Sequence, residues 1–217
     1  MKKLVIFDLD GTLLNTIADL ALSTNYALDK LGYPTHDVAA YNFMVGNGIN
    51  KLFERALPEG EKSEENVRRV RNEFIPYYNI HNADESRPYP GIPELLSDLQ
   101  SAGVRLAVAS NKYQAATEKL IAHYFPEIHF IAVFGQREGV NVKPDPTVVF
   151  DILKLSSVEK EDVLYVGDSG VDMQTAANAE VTACGVTWGF RPRTELEEFN
   201  PRYIVNTAEK IKELVLY

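Results

Sequence analysis

Asp8 and Asp10 close an apolar run in the stretch LVIFDLDGTLLNT. Residues two apart on a strand project to the same face. The two carboxylates are therefore expected to share one space at the strand's carboxyl end, which in open α/β sheets borders the crevice where ligands sit. Two close carboxylates repel, and one takes up a proton unless a cation intervenes. With a cation present, one carboxylate stays ionised and can attack while its neighbour keeps a proton to donate. A loop with an acidic turn is the other reading of DLDG.

Three further stretches carry matching chemistry. In VLYVGDSGVD, Gly167 ends a strand, Asp168 follows and Asp172 lies four residues on. In a parallel sheet Asp168 reaches the same edge as Asp8. Oxygen ligands gathered from separate strand ends suit Mg²⁺, which takes few protein ligands and keeps waters and substrate phosphate. Asp172, in the first turn of a helix, reads as support behind such ligands or as a helix-end charge rather than as a ligand. VRLAVASNK is expected to end its strand at Ser110, with Asn111 and Lys112 opening the next helix. A hydroxyl and free backbone N–H groups at a helix start bind anions, although Ser110 alone reads as an N-cap. In VNVKPDPTVV, Pro144 keeps Lys143 out of helical geometry, and Asp145 and Pro146 read as N-cap and first helical residue. At the same sheet edge, Lys143 would offset the carboxylates and a transferred phosphoryl group.

The elements that must position these groups follow from the apolar pattern. Short β-rich runs recur at KLVIF, VRLAVAS, FIAVFG, VLYVG, TACGVTW and RYIVN, with helix-like segments at 93–102, 113–124, 147–155, 171–179 and 208–216. Alternation of this kind implies right-handed crossovers and a doubly wound, mostly parallel sheet. Residues 16–82 break it. There, helical spacing places Leu20, Thr24, Ala27 and Leu28, then Ile49, Leu52, Phe53 and Ala56, then Val67, Val70, Phe74 and Ile75 on buried faces. The expected organisation is an α/β core of 1–15 and 83–217 with an inserted α-helical domain of 16–82, the chain returning through ESRPYPGIP.

Composition sets the outer limits. The 217 residues are long enough for a core with a small companion domain. A formal charge of −9 argues against nucleic-acid binding. No apolar run approaches the roughly 20 residues of a membrane span, and the run after Lys2 and Lys3 is too short for a signal peptide. The single cysteine, Cys184, excludes an internal disulfide and leads to the expectation of a cytoplasmic protein with an inert, packed thiol.

DLDGTL, SNK, KPDP and GDSGVD stand in the order typical of the haloacid dehalogenase superfamily, and the chain resembles that family from Asp8 to Asp172. The resemblance implies a Rossmann-like core, a helical cap and Mg²⁺ as cofactor. It implies that Asp8 is the nucleophile, forming an aspartyl-phosphate, and that Asp10 is the general acid/base. Asp8, the backbone carbonyl of Asp10 and Asp168 would hold Mg²⁺. Ser110, Lys143 and the Asn111 amide would grip phosphoryl oxygens, with Thr12 at the same phosphate turn.

Within the family, Asp10 argues against dehalogenases proper, which lack the second acid. Gly167 before Asp168, and Ile49 in the helical loop region, depart from beta-phosphoglucomutases. VGNGINKLFERAL and GDSGVDMQTAANA are similar to the phosphoglycolate phosphatase group, which implies a small phosphorylated metabolite and a substrate loop at Gly46, Asn47 and Gly48. Asn15 and Glu180 depart from that group's usual aspartate and glycine. A phosphosugar mutase and a pyrophosphatase are the alternatives. A non-catalytic phospho-ligand-binding regulatory protein is the reading from another class, and intact Asp8, Asp10 and Lys143 speak against it. Lys51 and Arg55 read as solvated, the four histidines show no metal-like spacing, and Trp188 and Phe190 read as closing the core. A monomer or homodimer is expected.

Overall fold

The computed structural model describes all residues, 1–217. The chain forms β1 (Leu4–Phe7), β2 (Leu14–Asn15), α1 (Ile17–Lys30), a 3₁₀ segment (Val38–Phe43), α2 (Ile49–Ala56), α3 (Glu64–His81) and β3 (Arg87–Pro88). It continues through α4 (Ile92–Ser101), β4 (Arg105–Tyr113), α5 (Gln114–Tyr124), β5 (Phe130–Gln136), α6 (Thr147–Ser156) and β6 (Val163–Gly167). It ends with α7 (Gly170–Ala179), β7 (Thr182–Val186), α8 (Arg193–Glu198), β8 (Tyr203–Val205) and α9 (Ala208–Leu216).

Six strands make one parallel sheet in the order β5-β4-β1-β6-β7-β8. Successive side chains on a strand face opposite sides, and the sheet uses both. Val5, Phe7, Leu106, Val108, Leu164 and Val166 pack beneath α4, α5 and α9. Leu4, Ile6, Ala107, Ala109, Val163 and Tyr165 pack beneath α6 and α7. Burial on both faces explains why these strands read as near-continuous apolar runs. The chain first adds strands on one side of β1 and then returns to add β6 on the other. The crevice of this doubly wound sheet therefore opens beside β1.

α1, α2 and α3 bury a third apolar cluster that includes Leu20, Leu28, Leu52, Phe53, Val70, Phe74 and Tyr78. Phe74 stacks on Tyr78 at 4.9 Å and meets Phe53 edge-on at 5.0 Å. The chain leaves the sheet and returns to it side by side, because Leu14 and Asn15 pair antiparallel with Pro88 and Arg87. The buried Asp19 of α1 secures the return, accepting from the Glu85 and Ser86 N–H groups at 2.9 and 2.8 Å and from the Ser86 hydroxyl at 2.6 Å.

Two local expectations are corrected. β4 runs past Ser110 to Tyr113, where Tyr113 pairs with Gln136, so the helix starts at Gln114 and Ser110 caps nothing. Phe190 packs against the helical cluster rather than the sheet core, whereas Trp188 does pack on the core and donates to the Thr12 carbonyl at 3.1 Å. α8, the β2–β3 ladder and the 3₁₀ segment carried no clear apolar signal.

Candidate active site

The loop after β1 is tied down by its own backbone. The Leu9 carbonyl accepts from the N–H groups of Thr12, Leu13 and Leu14, and Gly11 N–H donates to the Leu14 carbonyl. Gly11 sits at φ +89, and a Cβ there would run into the Asp168 carboxylate. Gly189 is just as tight on the other side of Asp168. The two glycines let the backbone close around that carboxylate. It accepts the Phe190 N–H at 2.7 Å.

Asp8, Asp168 and Asp172 converge, each with a carboxylate oxygen within 4.8 Å of the others. Lys143 is buried among them, 2.9 Å from Asp8 Oδ1 and 2.7 Å from Asp172 Oδ1. Asp172 is fully buried and also accepts from the Ser169 hydroxyl and N–H, at 2.6 and 3.2 Å. It therefore does both things the sequence left open, holding the start of α7 and seating Lys143 from behind. Burial and then the Asp172 charge push the Asp8 carboxyl up to about 7, against the pull of Lys143. Burial, followed by Asp172 and Asp8, holds Asp168 well above the usual carboxylate range. Burial draws the Lys143 ammonium down, but Asp172 and Asp8 outweigh it and raise it well above the ordinary lysine value.

This cluster fits a divalent cation. Three buried carboxylates face one ammonium, so ionising all three would leave two negative charges unbalanced in a region of low dielectric, the cost that raises Asp8 and Asp168 and that a cation would remove. Asp8 Oδ1 is buried with no hydrogen-bond partner, since Lys143 approaches it off the angle a hydrogen bond requires. An all-oxygen donor set of this kind suits Mg²⁺.

Asp10 lies apart from the three-acid cluster, and its side chain is held by its own partners. Lys112 Nζ contacts its two oxygens at 3.0 and 3.1 Å, and the Thr16 hydroxyl donates at 2.6 Å. Lys112 is buried, and its ammonium also sits 4.9 Å from the centre of the Tyr78 ring on α3. The sequence reading missed this role because it placed Lys112 on a helix. As the last inward residue of an extended β4, it reaches the neighbouring strand's loop.

Asp8, Asp10, Ser110, Asn111 and Asp168 line one pocket together with Gly46, Gly48, Lys112 and Arg191. Lys143 lines a smaller adjoining cavity with Ser110 and Asn111. Between Ala109 and Tyr113 the β4–β5 register is broken, which frees Ser110 and Asn111 from the ladder at the pocket wall. The Asn111 side chain donates to the Gly46 and Lys143 carbonyls, both at 3.0 Å, and accepts the Lys143 N–H at 2.8 Å. Its amide thus seats Lys143 and touches the helical loop. Three expected site residues lie outside both linings, Asp172 behind Lys143 and two others. Thr12 is fully buried with an unpartnered hydroxyl, and Asn47 accepts from Arg55 at 2.8 Å. α6 is capped at Pro146 rather than at Asp145 as expected, and Asp145 accepts the Thr147 N–H at 2.9 Å in the turn before the helix. Lys51 is exposed as expected and pairs with Glu54.

Comparison with known proteins gives this geometry a lineage. The chain is 36% identical to the phosphoglycolate phosphatase of Agrobacterium fabrum over 206 residues, covering 91% of this chain and 86% of that one. It is 32% identical to that of Mesorhizobium japonicum, covering 94% and 91%. A crystal structure from Lactobacillus delbrueckii subsp. bulgaricus matches with a TM-score of 0.93 at 34% identity, over 100% of this chain and 99% of that chain. The model of the haloacid dehalogenase-like hydrolases matches residues 5–186. With the match extending from β1 to β7 and the convergent acids inside it, the chain belongs to the haloacid dehalogenase-like hydrolase family.

Proposed function

We propose that this hydrolase is a magnesium-dependent phosphatase that hydrolyses a small phosphate monoester through an aspartyl-phosphate on Asp8, with a substrate of the phosphoglycolate kind. The observation that carries the reading is the convergence of the buried Asp8, Asp168 and Asp172 carboxylates around Lys143, with Asp8 and Asp168 at the pocket wall. The curated relatives support the substrate class.

Asp8, the Asp10 backbone carbonyl and Asp168 would hold the Mg²⁺, with Asp172 behind them. When bound, the ion neutralises charge so that an anionic carboxylate can meet an anionic phosphate. Asp8 attacks phosphorus, and the ester oxygen leaves with a proton from Asp10. Asp10, now ionised, takes a proton from water as that water attacks the same phosphorus. Phosphate departs and both aspartates are restored. Lys143 and Ser110 steady the phosphoryl oxygens, while Lys112 and Thr16 fix the direction of the Asp10 carboxylate. Residues 16–82 act in this reading as a cap whose closure keeps water out until the ester bond has broken. The lone buried thiol, Cys184, which burial pushes up to about 12, fits work in a reducing cytoplasm.

The test is hydrolysis of p-nitrophenyl phosphate, 2-phosphoglycolate, pyrophosphate and glucose 1-phosphate with Mg²⁺. Turnover is expected to be best on 2-phosphoglycolate, to stop with EDTA and to fall to background in Asp8→Asn. Turnover that persists in EDTA removes the metal from the reading. Turnover that persists in Asp8→Asn removes the covalent step.

A further inference from the structure

Arg191 is the one cation lining the pocket that has no carboxylate within hydrogen-bonding distance. Lys112 is committed to Asp10. Arg191 has its nearest acid, Glu195, at 3.7 Å, and that glutamate oxygen already accepts the Gly170 N–H at 2.9 Å. The Arg191 side chain is only 11% exposed. Nη2 donates to the Val45 carbonyl at 2.9 Å, and the guanidinium lies 5.3 Å from the centre of the Phe43 ring. Nη1 has no hydrogen-bond partner. A guanidinium with a free donor at the pocket wall, and with its nearest carboxylate 3.7 Å off and already shared with the Gly170 N–H, is open to an incoming anion.

Three features aim this group at the substrate. The residue before it, Phe190, is bonded through its backbone to Asp168, so Arg191 leaves the chain beside the reacting centre. Gly46, across from Nη2, carries no side chain; a Cβ there would stand 3.8 Å from that nitrogen. Arg55 braces the far side of the same loop, donating to the Met44 carbonyl and to Asn47, both at 2.8 Å. Two guanidiniums thus bracket a loop that offers them carbonyls but no carboxylate, and the field between them favours an anion.

We propose that Arg191 reads a carboxylate on the tail of the substrate, selecting short phosphate esters that carry a second anionic end over neutral ones. The inference rests on the phosphatase reading of the pocket. Arginine's planar fork suits a carboxylate, and lysine replaces it poorly at such a site. Arg191 would select by differential binding, since a neutral tail leaves its donor unpaired.

The experiment measures binding and turnover separately. The binding probes are 3-phosphonopropionate, in which a methylene replaces the ester oxygen of 2-phosphoglycolate, and propylphosphonate, which lacks the carboxylate. Calorimetry in Mg²⁺ is expected to show 3-phosphonopropionate bound at least about tenfold more tightly. Arg191→Ala is expected to erase that preference and Arg191→Lys to restore part of it. In turnover, Arg191→Ala is expected to lose at least about ten times more kcat/KM on 2-phosphoglycolate than on p-nitrophenyl phosphate. Equal or absent binding of the two phosphonates by the wild-type protein overturns the proposal. So does a preference that survives in Arg191→Ala, or an equal loss on both probes, which would mark Arg191 as only a pin for the Val45 loop. Selective phosphonate binding without hydrolysis of 2-phosphoglycolate would leave the carboxylate site standing and remove the substrate reading.

Discussion

At the scale of single residues, Asp10, the acid/base group of the proposed mechanism, is held by a few contacts. Asp10 has no fixed direction without Lys112 and Thr16, which grip its oxygens from two sides. Lys112→Met keeps most of the buried volume and removes the charge. We expect kcat on p-nitrophenyl phosphate to fall by about 10²-fold, the scale associated with a misplaced catalytic group, with KM changed by less than threefold. A KM increase that accounts for the whole loss would show that Lys112 binds substrate instead. The same residue shows why part of the site was hidden in the sequence. Asp8 and Asp168 announce themselves because each follows an apolar strand, and Lys143 because Pro144 holds it out of the helix that follows. Lys112 sits in SNKY, a polar run that looks like a helix start, and only the pairing of Tyr113 with Gln136 keeps it extended. Arg191 had no local signal at all. Its burial comes from a loop 146 positions away.

Among the elements, α7 ends in a conformation its sequence does not favour. Glu180 stands at the C-cap with φ 59, where the related group's usual residue is glycine. A side chain in that region costs about 1–2 kcal/mol, offset in part by the greater freedom glycine loses on folding. The Lys160–Glu180 pair at 2.8 Å is exposed and returns little. Glu180→Gly is therefore expected to stabilise the protein by about 1 kcal/mol and to raise Tm by about 2–4 °C in thermal denaturation. No gain, or a loss, would mean that the ion pair matters more than the backbone. The element pattern itself was largely legible, since all six strands coincide with apolar runs and the central ones are buried on both faces. The β2–β3 ladder was not, because two-residue strands carry no periodicity. Asp19 was also invisible in advance: a carboxylate in a first helical turn looks solvent-facing until the return segment folds over it.

For the whole molecule, the balance of buried charge makes folding and ion binding one equilibrium. Three carboxylates converge on one lysine, so an ion that binds the folded chain must stabilise it by mass action. At a hundredfold excess over Kd this amounts to about 2.7 kcal/mol, or a Tm rise of about 5–10 °C for a chain of this size. Scanning calorimetry with MgCl₂ against NaCl of equal ionic strength tests this, and Asp168→Asn should abolish the difference. A Tm indifferent to Mg²⁺ would mean the acids are balanced in another way.

The paired crossing of Leu14 and Asn15 with Pro88 and Arg87 has a consequence for how such a protein can diversify. Both passages of the polypeptide use one doorway, so everything between them is a closed excursion whose ends already touch. Beyond Thr16, which holds Asp10, that stretch can be lengthened or shortened without moving the strand ends that carry Asp8 and Asp168. On the proposed phosphatase reading, substrate preference would be free to drift while the strand-end carboxylates stay still.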